Sequence, residues 1–450
     1  MDVHELLNAL DRKGVTFASL VQLREEYYSW AIRGFSAEKN IEHNSFVCLR
    51  VLDKGVWGVA YKRGANIDFK SLMDKALLSC KISSKNRDVA ITGYADAPTV
   101  STSYVYPIKI SPMDVDDTEM FSLLSDIKAR LEVPGLKLSE IILDFWLIRR
   151  SYWDINGSAI SETYPLIMIT MYTATMGGQV STVMGFKGGL ELIRDGAYEW
   201  VTKHLSERVY AAHKGKALNP LLSGSKFDVV LDYDLAAAFI HESLGHALQA
   251  DNYMLQNTKR LPIGIKIASE ELTIYDDPTI VGGFGSYLYD DEGVRARRKV
   301  LVENGNVVSF INTRSSAAYF NVEPSGNGRG WTNVPFSLMS NLVVKPGDWR
   351  PNEIIEETRR GILLQGIIIG RRYENGAVVL EAENGAYIEK GEIKDYIRGP
   401  LILRGNAQRL LLSITAIGKY LLPRPSFEKG LPVSEYAPIL KLSKARIYAY

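Results

Sequence analysis

The residues whose types and spacing could do chemistry are His241-Glu242-Ser243-Leu244-Gly245-His246. Neutral imidazoles bind zinc, and a carboxylate that is not itself a ligand can take the proton from a metal-bound water. The pattern therefore offers His241 and His246 as metal ligands, Zn2+ as the metal, and Glu242 as the general base. Histidines in helices are more often satisfied core or surface residues, so the reading needs support. Six histidines exist in the whole chain and two are here. The flanking run, Ala236-Ala-Ala-Phe-Ile240 and Ala247-Leu248, is apolar, so a His-Glu-His set inside it needs a reason.

The spacing constrains the element that carries the set. The common zinc helix places its histidines four apart on one face. Here they are five apart, a rotation about 140° beyond one full circle of a regular helix. A single widened, π-type turn would return both rings to one side. Gly245 is the residue that best tolerates such a distortion. The sequence thus predicts a strand over Phe227–Leu231, then a helix from Tyr233 or Asp234 to about Ala250, widened or broken at Leu244-Gly245.

Elsewhere, Leu6, Leu7 and Leu10 mark a helix over 2–13, and Phe69, Leu72, Ala76 and Leu77 another from Asp68 to about Cys80. Asp53-Lys54-Gly55 inside Ser45–Tyr61 signals a hairpin. Helices are predicted over 117–132 and Gly188–Ala212, and two long strands, Ile141–Tyr152 and Tyr164–Ala174, joined through Asn156-Gly157. The second strand is apolar enough to be covered on both faces. Lys214–Ser225 is the linker candidate. The last 200 or so residues read as short strands and turns, with helices near 351–364 and 405–421. Blocks of strands and helices, rather than strict alternation, indicate an α+β fold. Two domains are expected: a mixed N-terminal domain over 1–222 and a strand-rich, antiparallel C-terminal domain over 223–450 that carries the metal helix.

The bulk composition excludes several classes. A net charge of +1 gives no whole-molecule attraction to nucleic acid or an anionic membrane. Arg295, Arg297, Arg298 and Lys299 read as a solvated face. Cys48 and Cys80 are too few and too distant for a disulfide framework or a cysteine-rich zinc module, and Cys48 reads as a core residue. The opening residues do not form a secretory signal, and no window has the apolar length of a membrane helix. A reducing, cytoplasmic compartment is expected.

With these residues in view, the chain resembles the TldD/PmbA family, once described as modulators of DNA gyrase and regarded as metallopeptidases. His241-Glu242-x-x-x-His246 followed by Asp251 is similar to its signature, and Val229-Val-Leu-Asp-Tyr-Asp-Leu-Ala-Ala237 to the run before it. Later landmarks are similar at Asp276-Asp277-Pro278, Asp290-Asp291-Glu292-Gly293, Pro324–Arg329, Met339-Ser-Asn341 and Gly385–Gly391. Leu49–Gly58 fits in the N-terminal half. The His-Glu-His motif is that of the TldD-like type. The resemblance implies zinc held by His241 and His246, Glu242 as base, peptide substrates, and a homodimer or a heterodimer with a motif-less relative. It also implies a third ligand, a cysteine in a C-terminal Cys-Gly-Lys-Asp-Gly element. The matching region here is Ser426-Phe-Glu428-Lys-Gly430, and no cysteine follows residue 80. Ser426 stands at the cysteine's position, where a hydroxyl is a weaker ligand; Glu428 is a substitute zinc accepts. The family's Met-Pro-Arg-Met-Thr-Asn reads Val334-Pro-Phe-Ser-Leu338-Met339, without the arginine.

The expected function is zinc-dependent hydrolysis of peptides or unstructured segments, with an extended substrate added as a strand to a sheet edge. The alternative is a weakened or inactive paralogue that acts as a binding or assembly subunit. Asp290-Asp291-Glu292 reads as a turn-forming or structural acid run, and Ser325–Arg329 as a peptide-binding turn or plain loop. Asp251 reads either as a partner that orients an imidazole or as an ordinary helix-end acid.

Overall fold

The computed structural model describes the chain except residues 65, 85–90, 92, 132, 195–196 and 450. The first half is built on one seven-stranded sheet. Val56–Arg63, Ser36–Asp53, Phe17–Arg33, Leu136–Asp154 and Ala159–Thr175 follow one another in that spatial order, all antiparallel. At the far edge Ser101–Val105 runs parallel to residues 159–163, and Gly178–Phe186 antiparallel to residues 167–175. The hairpin signal at Asp53-Lys54-Gly55 is realised: Asp53 pairs with Val56 across left-handed Lys54 and Gly55.

Alternation divides this sheet into two faces. Leu20, Leu49 and Val51 pack under Leu6, Leu10, Leu72 and Ala76 of the helices Val3–Arg12 and Phe69–Ser83. The helices Asp117–Ala129 and Ala197–Lys214 cover the other end. Asp2 and Asp68 cap the first two helices by accepting backbone N–H groups. The opposite face turns Arg50, Arg150 and Tyr152 toward the second half of the chain.

The predicted helix over 117–132 ends at Ala129, with residue 132 outside the described set. The segment predicted as one helix over 188–212 is Glu191–Arg194 and then Ala197–Lys214; residues 195–196 are not described. Strand Ala159–Thr175 is buried on both faces over Tyr164–Ile167 and alternates after that.

The second half holds two six-stranded sheets and a two-residue pair. In one sheet the order is Glu392–Asn406, Ala377–Glu389, Arg360–Arg372, Lys226–Leu231, Leu440–Ala449 and Ile414–Ile417. Glu392–Asn406 pairs back onto Leu440–Ala449, which closes five of these strands into a barrel. In the other the order is Asn306–Val307, Lys299–Glu303, Ile274–Asp276, Asn341–Val344, Leu431–Ala437 and Leu422–Glu428. Most pairs are antiparallel; Lys226–Leu231 with Arg360–Arg372, and Asn341–Val344 with Leu431–Ala437, are parallel. The α+β class is realised.

Two predicted helices are shorter than expected and give way to strands. Over 351–364 only Pro351–Glu356 is helical, and Arg360–Arg372 is a barrel strand. Over 405–421 the helix is Ala407–Leu412, and Ile414–Ile417 is a strand. In both, an apolar run with β-branched residues follows the helix. Burial among neighbouring strands overrides the predicted helix there. No helix among the described residues is long and apolar enough to cross a membrane.

Candidate metal centre

The metal helix leaves the barrel strand Lys226–Leu231 through Asp232, which binds both elements. Its Oδ1 accepts the Leu235 N–H at 3.0 Å and its Oδ2 the Gly366 N–H at 2.7 Å. Burial, then the neighbouring Asp234, push its carboxyl up to about 6. Leu235 to Ile240 are all buried, so the helix is held by its whole circumference.

The regular helix Tyr233–Ile240 is followed by a π-helical turn over His241–Gly245 and a 3-10 turn over His246–Leu248. The widened turn demanded by the five-residue spacing is therefore present. It puts the two imidazole centroids 4.7 Å apart, with ring planes at 88°. Gly245 has a different role from the one expected. Its backbone is ordinary right-handed helix, φ −51° and ψ −55°. A Cβ there would lie 2.2 Å from Met339 Sδ, so the glycine permits close packing rather than distortion.

A third donor arrives from the hairpin of Leu422–Glu428 and Leu431–Ala437. One donor atom each from His241, His246 and Glu428 lies within 4.8 Å of the others. Tetrahedral zinc ligands at about 2.1 Å lie roughly 3.4 Å apart, so modest side-chain closure suffices. The two histidines and one carboxylate are a donor set used by catalytic zinc sites. Glu428 and Ser426 lie two apart on one strand and so face the same side. Of these two, Glu428 brings its carboxylate into the group.

Each imidazole has a partner for its other nitrogen. His241 Nδ1 is 2.7 Å from Glu435 Oε1, and the other oxygen of Glu435 is 3.2 Å from Arg424. His246 Nδ1 is 3.2 Å from Gln249 Oε1. Both contacts leave Nε2 for a metal and fix the ring orientation. Burial lowers the His241 imidazolium, but Glu435 more than reverses this and the net shift is upward. Burial and then the charge of His241 pull His246 down. Burial of Glu435 is outweighed by His241 and Arg424, which hold its carboxyl below the usual range.

Glu242 lies beside Gly370 of the barrel strand, where a Cβ would come within 3.2 Å of Glu242 Cγ. Arg372, two residues on, donates to the Ser243 carbonyl at 2.9 Å and so clasps the π turn. Glu435, Arg424, Gln249 and Arg372 were not singled out from sequence. Gln249, three residues after His246, was the one local signal. The rest come from strands remote in the chain.

Other singled-out residues serve the scaffold. Asp251 does not touch an imidazole: it accepts from Thr313 Oγ1 at 3.0 Å and from the Ser337 N–H at 2.9 Å. It lies in the first turn of the short helix Ala250–Leu255 and ties that helix to Thr313 and Ser337, because the chain turns between His246 and Asp251. Asp290 accepts the N–H groups of Glu292, Val294 and Gly328. Asp291 accepts from Gly330 and pairs with Arg150, and Glu292 accepts the Arg314 N–H at 2.7 Å. Ser325–Arg329 is internal scaffold: Asn327 donates to Asp276, and Arg329 to the carbonyls of Met339 and Pro432. Of the basic run, Lys299 is not a solvated cation but lies buried at 3.2 Å from Asp276. Cys48 is buried in the sheet.

Comparison with known proteins places the chain among metallopeptidase relatives. Residues 224–448 match the model of the PmbA/TldA metallopeptidase C-terminal domain. A metalloprotease of Methanocaldococcus jannaschii is 32% identical over 381 residues, 83% of each chain. One from Methanothermobacter thermautotrophicus is 32% identical over 413 residues, 89% of this chain and 88% of its own. A zinc metalloprotease TldD homolog of Saccharolobus solfataricus is 31% identical over 257 residues, 56% of this chain and 57% of its own. Two solved structures share the fold at 17% identity. A Thermotoga maritima protein described as a modulator of a DNA gyrase superposes with TM-score 0.79, covering 99% of this chain and 98% of its own. TldE of Thermococcus kodakarensis does so with TM-score 0.75, covering 99% of each. Matched along most of its length by such relatives and over its C-terminal half by the domain model, the chain belongs to the TldD/PmbA family of metallopeptidases.

Proposed function

We propose that the chain is a zinc-dependent peptidase acting on peptides or unstructured protein segments. His241, His246 and Glu428 hold the metal, and Glu242 is the general base. The observation that carries this reading is the convergence of three donors, two from one π turn and one from a remote hairpin, within 4.8 Å. Zinc bound there would acidify a water molecule and polarise the scissile carbonyl. Glu242, adjacent in sequence to His241 but not one of the three donors, takes the proton from the attacking water and passes it to the leaving amine. Glu435 and Gln249 hold the two rings, and Arg372 holds the turn that carries them.

The missing cysteine is the motive for the second reading, a non-catalytic binding or assembly subunit. Glu428 weakens that motive, since zinc accepts carboxylate oxygen. A cytoplasmic setting and a homodimer, or a heterodimer with a motif-less relative, remain part of the proposal; two free, buried cysteines suit a reducing compartment. The test is metal content together with hydrolysis of an unstructured peptide. About one zinc per chain and cleavage lost in Glu242→Gln are expected. A folded protein that takes up no added zinc contradicts the reading, and zinc without cleavage favours the second.

A further inference from the structure

A cavity opens beside the third donor. Glu428 ends its strand, and left-handed Lys429 (φ 53°) and Gly430 (φ 78°) turn the chain into the next one. Across that turn Glu428 pairs with Leu431, which places the two side chains on one face about 5 Å apart. Leu431 is buried with Leu338 and Val433, and Trp331 packs on them. Leu431, Leu338, Trp331, Phe336 and Phe46 give the cavity its apolar lining, and its volume is about 310 Å³. That is near the low end of small-ligand pockets, roughly 300–1,000 Å³. It accommodates one large side chain, not a length of peptide.

The charged residues of its lining are both cationic. Lys429 stands at the rim with its ammonium 4.1 Å from the Phe336 ring centroid, and Arg329 lies in the wall. The described residues lining it include no carboxylate. An entering cation would meet two like charges in the lining itself.

We propose that this cavity is the specificity subsite for the substrate residue beside the scissile bond. It takes a large apolar side chain, best an aromatic one, and disfavours lysine or arginine. The inference rests on the peptidase reading above and deepens it. One extended residue spans about 3.3–3.6 Å. A peptide whose scissile carbonyl lies among His241, His246 and Glu428 therefore brings the neighbouring side chain within reach of Leu431.

The test uses zinc-loaded Glu242→Gln protein and fluorescent peptides Ala-Ala-X-Ala-Ala, with X as Phe, Leu, Gly or Lys, in equilibrium anisotropy titrations. Phe and Leu peptides should bind at least about tenfold more tightly than Gly, with Lys weakest. Phe336→Ala and Trp331→Ala in that background should each cut the Phe-to-Gly ratio several-fold and leave Gly binding unchanged. Equal affinity for all four peptides, an unaltered ratio in both variants, or no binding of any peptide overturns the subsite. Wild-type cleavage of the same peptides separates the two ideas. Cuts without preference for X remove the subsite and leave the peptidase. Graded binding without any cleavage removes the peptidase and leaves the apolar pocket.

Discussion

Two acid-bearing motifs, His241-Glu242-x-x-x-His246 and Asp290-Asp291-Glu292, stand out in the sequence and end in opposite conditions. In the second, all three carboxylates are consumed: Asp290 by three backbone N–H groups, Asp291 by Gly330 and Arg150, Glu292 by Arg314 and Tyr94. In the first, the imidazoles are held through Nδ1, and one donor atom each from His241, His246 and Glu428 lies within 4.8 Å of the others. A cluster of ionisable groups is built for structure when the protein satisfies every atom. It is built for chemistry when the protein orients the groups and leaves their working atoms unspent.

The contrast can be broken by substitution on each side. Glu242→Gln should lower peptide hydrolysis by about a hundredfold or more, because the amide cannot accept a proton. It should leave zinc content unchanged by elemental analysis; undiminished hydrolysis rules out the assigned role.

Glu435→Gln is the next largest effect. Removing the carboxylate behind a ligating imidazole commonly costs about 10–100-fold in metal affinity, to be read by competition with a chelator. Unaltered affinity would make the Glu435–His241 contact merely structural.

On the structural side, burial first, then the nearby Asp290, push Glu292 up to about 8. A carboxyl raised in the folded state stays protonated there while its unfolded counterpart ionises. Its contribution to stability is therefore present below about pH 4.5 and is lost as pH rises to about 8. Glu292→Gln, which mimics the neutral acid, should flatten the pH dependence of denaturant unfolding between pH 5 and 8 relative to wild type. Zinc content should not change. Identical pH profiles would show that Glu292 is ionised throughout.

The smallest expected change is Ser426→Cys. It places a thiolate on the strand face shared with Glu428 and should tighten zinc binding several-fold, since thiolate is a better ligand than hydroxyl. No change would put Ser426 beyond reach of the metal.

The sequence carried the site unevenly, for physical reasons. The five-residue spacing of His241 and His246 demanded a widened turn, because helix geometry leaves no other way to converge the rings. Glu428 was legible only as one of two candidates, by resemblance. Glu435 and Arg424 were silent, since their role exists only where Leu422–Glu428 and Leu431–Ala437 pair and meet the helix. Phe17–Arg33 and Ser36–Asn44 fell in a stretch without a predicted element. Their ribbon is rich in charged and polar residues with much of its length solvated, which weakens the hydrophobic alternation. Residues 360–364 and Ile414–Ile417 were read as helix because an apolar segment buried in a sheet carries no period of its own.

The most direct test of the centre is the zinc affinity of Glu428→Ala against wild type, by chelator competition at neutral pH with circular dichroism on both. The expected result is about one tightly held zinc in wild type and affinity at least about a hundredfold weaker in the variant, with the fold unchanged. Equal affinity in the two proteins would contradict Glu428 as the third ligand and, with it, the rebuilt metal site.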